Sequence, residues 1–566
     1  MISGFYIYKN LEKKFNIPGY KEFMHKNFSF NIKFNEKFYN DSLVIDDNEI
    51  MLFLDGAILN KSDIVNQESC TFNEYLKNSY IKKGIKFINE LRGPFFGFCF
   101  DKTRDRLEIF TSHNGEKAIY YNDDVNYFIV SSSLDITVRY LKTLDYSLII
   151  NTTAIKELLS LGYLLSNHTI ISNIKRLIGG KLLELSENKL IEYRYHKYSS
   201  NPVLNDDLDN LIEKFDVLYT QAINRILLKN KEYGFNNVAD LSGGLDSRMV
   251  NFVLKKLNAN NIIATCYSQS KTADHKISKK VASYLNIKHI FQPLNKGTFL
   301  FDIDEMVSLT EAQSIYFIGT GAYKLFKKNY TSDWGISISG AFASNINGLL
   351  TEGMEHTDPS LTTIRYSKLI DFSFKLDNLE EFDTFEEFNT YSFNLKLIYE
   401  SLRIRRNYTY AISPMADVDV AEFIARVPIK YRKKRILLKK WIINKYPEAA
   451  KFTWQHTMKP LTHEDKIYIP KLLNSFSIFL KRAINKFFKL IGLNFALYIK
   501  DDMNPFALWY RNNKKLRIFI KNYYENNIQF VPTENHKYIN EYMRSDNPID
   551  KLLAINVIAG IKKFLN

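Results

Sequence analysis

The chain has only three cysteines in 566 residues, Cys70, Cys99 and Cys266, scattered without paired or metal-like spacing. Neither a disulfide framework nor a zinc site is implied, and a reducing, cytoplasmic setting is expected. No uncharged apolar run reaches the roughly 18 residues a membrane span needs. The start, Met1-Ile2-Ser3-Gly4-Phe5, lacks a basic region followed by a long apolar core, so no signal peptide is expected. Internal repeats are missing. So is any compact basic, aromatic-interleaved nucleic-acid motif, and the formal charge of +15 therefore reads as a lysine-heavy, AT-rich coding bias. No Gly-Lys-Ser/Thr follows the glycine turns, which excludes a P-loop.

What is present begins with length and apolar content. With 566 residues and 45% hydrophobic side chains, two to four domains with sizeable cores are expected. Alternating apolar segments, Ser29 to Phe38, Glu49 to Phe53, Phe95 to Phe100, Leu107 to Thr111 and Tyr127 to Ser131, make strands dominate the first 200 residues. Lys197 to Asn210, polar and carrying a proline, reads as a linker. Beyond it strands and helices alternate, as for a parallel sheet: Asn261 to Tyr267 is a buried strand, Asp274 to Leu285 a helix, Lys288 to Phe291 a strand.

The chemically loaded stretch is Leu241-Ser242-Gly243-Gly244-Leu245-Asp246-Ser247, between the strand-like Asn237-Val238-Ala239 and the helical Arg248 to Leu254. Two glycines allow close backbone approach, and the helix that follows directs its free amides and partial positive charge at the turn. Ser242 and Ser247 add hydroxyl donors for phosphate oxygens, and Asp246 suits the magnesium that accompanies a nucleotide. The turn reads as an ATP site. It resembles the S-G-G-x-D-S loop of the ATP pyrophosphatases.

Other segments resemble asparagine synthetases. Leu91 to Asp101 with Leu107 to Tyr121 is similar to the inner strands of their N-terminal glutaminase domain, and Leu54 to Asn60 to its N-G-E-I-Y-N segment. The resemblance implies an α+β Ntn-hydrolase-like sandwich over residues 1–200. For residues 201–566 it implies an α/β ATP-pyrophosphatase domain (PP-loop, adenine nucleotide alpha hydrolase-like). The glutaminase reaction needs an N-terminal cysteine, but position 2 is Ile; Asp55 stands for the oxyanion-stabilising Asn and Ala57 for the glutamine-binding Glu. Glutamine hydrolysis is therefore expected to be lost.

Further along, Ser339-Gly340-Ala341 opens a second glycine turn, in which Ser344 takes the place of the family's second magnesium aspartate. The resemblance assigns Ser242, Gly243, Gly244, Leu245, Asp246, Ser247, Ser339 and Gly340 to ATP, and Asp246 to magnesium. It gives a cation near Lys434 and Arg435 to pyrophosphate departure; a solvated basic face is the other reading of that run. Asp240 is a weaker metal candidate, and Asp274 is either a capping residue or a direct participant. The tail Met503 to Tyr510 is similar to the asparagine-synthetase-like proteins found with surface-polysaccharide genes. The implied activity is ATP-dependent adenylation of a carboxylate on a small molecule or glycan, followed by transfer to ammonia or an amine. A lasso-type peptide cyclase and a catalytically silent scaffold are the alternatives. A homodimer and peripheral membrane contact stay open, the latter because Leu472 to Ile491 carries an apolar stripe opposite Lys481, Arg482, Lys486 and Lys489. Covering a core is the favoured use of that stripe.

Overall fold

The computed structural model describes residues 3–9, 13–342, 365–370, 384, 387–388, 390–463, 469–491, 497 and 503–566. The first part of the chain supplies β1 (Gly4–Tyr8), β2 (Lys21–His25), β3 (Phe28–Lys33), β4 (Ser42–Asp46), β5 (Ile50–Gly56) and β6 (Phe95–Asp101). These are followed by β7 (Arg106–Thr111), β8 (Tyr120–Tyr121), β9 (Ile129–Ser131), β10 (Lys175–Arg176), β11 (Lys181–Ser186) and β12 (Lys189–Arg194). They form two six-stranded antiparallel sheets, ordered β10-β8-β9-β1-β3-β2 and β12-β11-β7-β6-β5-β4.

Period-two alternation explains how the sheets stack. Phe5 and Ile7 of β1 point to one side and meet Phe96, Phe98 and Phe100 of β6 in the layer between the sheets. Tyr6 and Tyr8 point to the other side, under the helices α3 (Leu134–Thr143) and α4 (Thr152–Ser160). On the outer face of the second sheet, Phe95 and Cys99 share a cluster with Ile64 of the helix α1 (Lys61–Glu68) and with Phe72, Tyr75 and Leu76 of the helix α2 (Phe72–Lys83). The result is a four-layer helix-sheet-sheet-helix sandwich. Phe30 and Phe98 have ring centroids 5.2 Å apart across the middle layer, and each such fully buried ring contributes roughly 1.5–3 kcal/mol by leaving water.

After the long helix α5 (Leu208–Glu232), the second sheet system contains β13 (Asn236–Asp240), β14 (Ile262–Ser268), β15 (Lys288–Pro293), β16 (Trp334–Ile338) and β17 (Ala411–Ile412). All neighbours pair in parallel, in the order β15-β14-β13-β16-β17. Helix α6 (Leu245–Lys256) connects β13 to β14, and α7 (Ala273–Leu285) connects β14 to β15. The strand order therefore reverses between β13 and β16. Open parallel sheets bind ligands at the carboxyl ends of such a pair.

The two halves share cores. One cluster joins Tyr140 and Leu158 to Leu553, Ile555 and Phe564 of the C-terminal helix Pro548–Leu565. Another joins Phe38, Ala57 and Leu59 to Phe215, Tyr219 and Trp441. Buried ion pairs cross the same boundary: Lys229 to Asp41 at 2.9 Å and Arg176 to Glu400 at 2.6 Å.

The helix Ile469–Leu490 departs from expectation. Its apolar residues Phe476, Phe479, Leu480, Ile484, Phe487 and Leu490 are exposed, so this stripe does not cover a core. Periodicity reports that a face is apolar and says nothing about what lies against it.

Candidate functional site

The turn after β13 and the turn after β16 open together on a cavity of ≈ 240 Å³. Asp240, Ser242, Gly244, Asp246 and Ser247 line it from the first turn, Ser339, Gly340 and Ala341 from the second, and Met503 from the C-terminal region. Helix α6 starts at Leu245 with Gly244 as its N-cap, and no side chain caps it. Its first-turn amides and the positive end of its dipole therefore remain available to an anion.

The turn is held by its own side chains. Ser247 Oγ accepts from the Ser242 amide at 3.0 Å and lies 2.9 Å from Ser242 Oγ, which accepts from the Gly244 amide at 3.1 Å. Gly243 faces away from the cavity: its amide donates to Asp274 Oδ1 at 2.9 Å, and its carbonyl accepts from the Gln455 amide at 3.1 Å. A second bond, Gln455 Nε2 to Asp274 Oδ2 at 2.7 Å, closes that loop. Burial pushes the Asp274 carboxyl up, opposed by the bonds it accepts. Asp274 thus positions the turn; the cap of α7 is Thr272, which accepts from the His275 amide. Leu245, expected at the nucleotide, is fully buried with its side chain in the core and lies outside the residues that line the cavity.

Glycine is required at Gly340. A Cβ there would stand 2.3 Å from the Ser247 amide nitrogen and 2.6 Å from its Cα. The second turn lies directly on the first turn of α6. Ser344 and Asn345 fall outside the described residues.

Arg405, fully buried, was not legible as a site residue. It donates to Asp240 Oδ2 at 2.8 Å and to Ser337 Oγ at 2.6 Å. Asp240 also accepts from Thr265 Oγ1 at 3.0 Å. Asp240 is therefore engaged as a structural anion at the cavity edge. Arg248 is equally hidden: it donates to the carbonyls of Ala449, Phe452 and Thr453, tying α6 to the segment that carries Gln455. Arg405 belongs to no local motif, and Arg248, although it directly follows Ser247, has its partners far along the chain.

Lys434 and Arg435 lie outside the residues that line the cavity. Lys434 is exposed, and Arg435 sits over the Trp454 ring at 5.2 Å, one residue from Gln455. Among the described residues no group of three or more His, Cys, Asp or Glu side chains could hold a metal alone. Asp246 with the hydroxyls of Ser242 and Ser247 suits magnesium nonetheless, because that ion commonly takes one or two carboxylates and completes its shell with phosphate oxygens and water.

A second cavity, ≈ 160 Å³, lies where the halves meet, lined by Ser3, Phe96, Lys117, Arg403, Arg406 and Tyr410 among others. Asp55 is fully buried beside it and pairs with Lys117. Ser3 Oγ donates to Asp55 Oδ2 at 2.7 Å, and Lys117 Nζ donates to Tyr410 Oη at 3.0 Å while lying 3.9 Å from the Phe96 ring centroid. Burial draws the Lys117 ammonium down and Asp55 opposes that. Ala57 is fully buried in the core that holds Phe38 and Leu59. Ile2 lies outside the described residues.

Two family models match in sequence order. A glutamine amidotransferase domain spans residues 39–196, and an asparagine synthase domain spans residues 217–346. The chain thus joins an amidotransferase-type sandwich to an asparagine synthase domain. It is an asparagine-synthetase-like protein. A protein assigned as glutamine-hydrolyzing asparagine synthetase 2 in Methanocaldococcus jannaschii is 24% identical over 342 residues, 57% of this chain and 65% of that protein. The glutamine-hydrolyzing asparagine synthetase 2 of Bacillus subtilis is 24% identical over 267 residues, 43% of this chain. The chain spans less than two thirds of either relative, 65% and 34%. The structure of glutamine phosphoribosylpyrophosphate amidotransferase from B. subtilis superposes with a TM-score of 0.23 at 10% identity, covering 51% of this chain and 59% of that one.

Proposed function

We propose that the chain is an ATP-dependent ligase that adenylates a carboxylate in the cavity between β13 and β16 and passes the acyl group to ammonia or an amine. The observation that carries this reading is the uncapped N-terminus of α6, opening with Ser242, Asp246 and Ser247 on a cavity at the point where the strand order reverses. In the first step a carboxylate oxygen attacks the α-phosphorus of ATP, and the bond to pyrophosphate breaks with its electron pair leaving on pyrophosphate. Nitrogen then attacks the acyl carbon, AMP leaves, and the nitrogen gives up a proton. First-turn amides of α6 and the two serine hydroxyls hold the phosphates. Magnesium on Asp246 would supply charge neutralisation as pyrophosphate forms. Arg435, with Lys434 beside it, is the cation we assign to pyrophosphate departure.

The nitrogen in this reading comes from free ammonia or an amine. Asp55, in the place the resemblance gives to an oxyanion donor, puts a carboxylate there, and Lys117 holds it in a buried pair; such a group would repel a developing oxyanion. Ala57 offers a methyl group where a carboxylate would bind the amine of glutamine. The acceptor we favour is a uronate or an amino-acid carboxylate on a surface glycan, resting on the resemblance of the Met503 to Tyr510 tail.

The test is nucleotide product analysis with magnesium, a panel of uronates, amino acids and peptides, and either ammonium or glutamine as nitrogen source. The expected outcome is AMP and pyrophosphate with ammonium, and no turnover with glutamine alone. ADP and phosphate as products, or turnover driven by glutamine, would contradict the reading.

A further inference from the structure

The helix Ile469–Leu490 is built the wrong way round for a helix that closes a core. At about 100° per residue, Phe476, Phe479, Leu480, Ile484, Phe487 and Leu490 fall within a sector of about 140°, and this sector faces outward. Phe476 is 63% exposed, Phe479 66% and Leu490 78%. Asn485, on the opposite side, is what meets the protein. Its Nδ2 donates to the Leu497 carbonyl at 2.8 Å, and its own carbonyl accepts from Arg511 at 3.1 Å. Among the described residues the polar side is held at Asn485 and the apolar side is presented.

Charge limits what the apolar side can meet. From Ile469 to Ile491 there are five Lys or Arg residues, Lys471, Lys481, Arg482, Lys486 and Lys489, and no Asp or Glu. Lys481 and Lys486 flank the apolar sector on its two sides. That is the arrangement in which aliphatic stems lie along apolar surface while the ammonium groups reach anionic headgroups. A second copy of the same helix would set basic flanks against basic flanks within a chain that already carries +15. Crossing the bilayer is not an option, because among the described residues no helix is long and apolar enough.

We propose that the helix Ile469–Leu490 lies in the interface of an anionic phospholipid bilayer, with Phe476, Phe479, Phe487 and Leu490 in the acyl boundary and Lys481 and Lys486 at the phosphates. The ligase would then work at a membrane surface. The docking itself depends on no step of the ligase reading.

The experiment is flotation of the full chain with vesicles of phosphatidylcholine alone and of phosphatidylcholine mixed with phosphatidylglycerol, at low and high salt. The expected result is flotation with the mixed vesicles, weakened by salt and much reduced on phosphatidylcholine. Phe479→Glu/Phe487→Glu should abolish it. Lys481→Gln/Lys486→Gln should weaken it by roughly fivefold for each residue neutralised. Because these positions are surface-facing, the thermal midpoint of each variant should match that of the native chain, so a folding defect is separable from lost binding. No flotation with either vesicle, or variants that float like the native chain, would overturn the proposal. A native dimer that Phe479→Glu/Phe487→Glu converts to monomer, without vesicle binding, would assign the face to a second copy instead.

Discussion

At the scale of single residues, the cavity depends on contacts too close to admit change. Gly340→Ala would drive a Cβ into the Ser247 amide at 2.3 Å. The turns must separate, at a cost of about 1–3 kcal/mol, and calorimetric titration should find ATP binding lost or strongly weakened while the fold persists. Arg405 and Asp240 make the opposite case, a pair kept because each is buried with the other. Removing either partner alone is expected to cost about 3–5 kcal/mol in urea unfolding, and Asp240→Asn/Arg405→Leu together less than the sum of the two. Additive losses would show that the pair is not coupled. The serines, glycines and Asp246 of the first turn were legible because they are contiguous and their chemistry is local. Arg405, Gln455 and Met503 were not, since each reaches the site from a segment distant in the chain; Arg248 follows Ser247 directly, but its partners Ala449, Phe452 and Thr453 are distant and only the fold makes them neighbours.

Elements show the same division. Strands β6 and β7 and helices α6 and α7 announce themselves through periods of two and 3.6, and their observed limits lie within a few residues of the expected ones. Helices α2 to α4 over the sandwich faces were hidden among strand signals, because a short amphipathic helix resembles an apolar strand in composition. The helix Ile469–Leu490 was legible as a helix, while the direction of its apolar face was settled by Asn485 docking on the body, a tertiary contact. For α6 the decisive support is Asp274, which α7 carries up to the Gly243 amide. Asp274→Ala should cost about 1–3 kcal/mol of stability, since the Gly243 amide and the Gln455 side chain both lose a buried acceptor, and should weaken ATP binding roughly tenfold as the turn loses its support. An unchanged dissociation constant would show that the turn keeps its shape unaided.

For the whole molecule, the boundary between the halves is packed and ion-paired, and it carries histidines held neutral. Burial first, then Arg92 and Arg194, draws His196 down from 6.5 to about 4. Burial, with the neighbouring His196 next, holds His113 well below its ordinary value. A histidine depressed in the fold takes up its proton more readily once unfolded, so stability is complete above pH 6.5 and is lost as pH falls toward 4. For His196 the loss should approach roughly 3 kcal/mol. Thermal midpoints measured across that range should fall, and His196→Gln should flatten the acid limb; a variant as acid-sensitive as the native chain would refute the assignment. The same boundary joins a sandwich whose Asp55 is locked to Lys117 with an α/β domain whose turn is open to an anion, and the adenylation we propose belongs to the second half. That claim is tested most directly by ATP–pyrophosphate exchange with magnesium across uronates, amino acids and peptides, native chain against Asp246→Ala. The account predicts exchange with one class of carboxylate, lost in the variant; exchange that survives Asp246→Ala, or a native chain that fails to bind ATP at all, would contradict it.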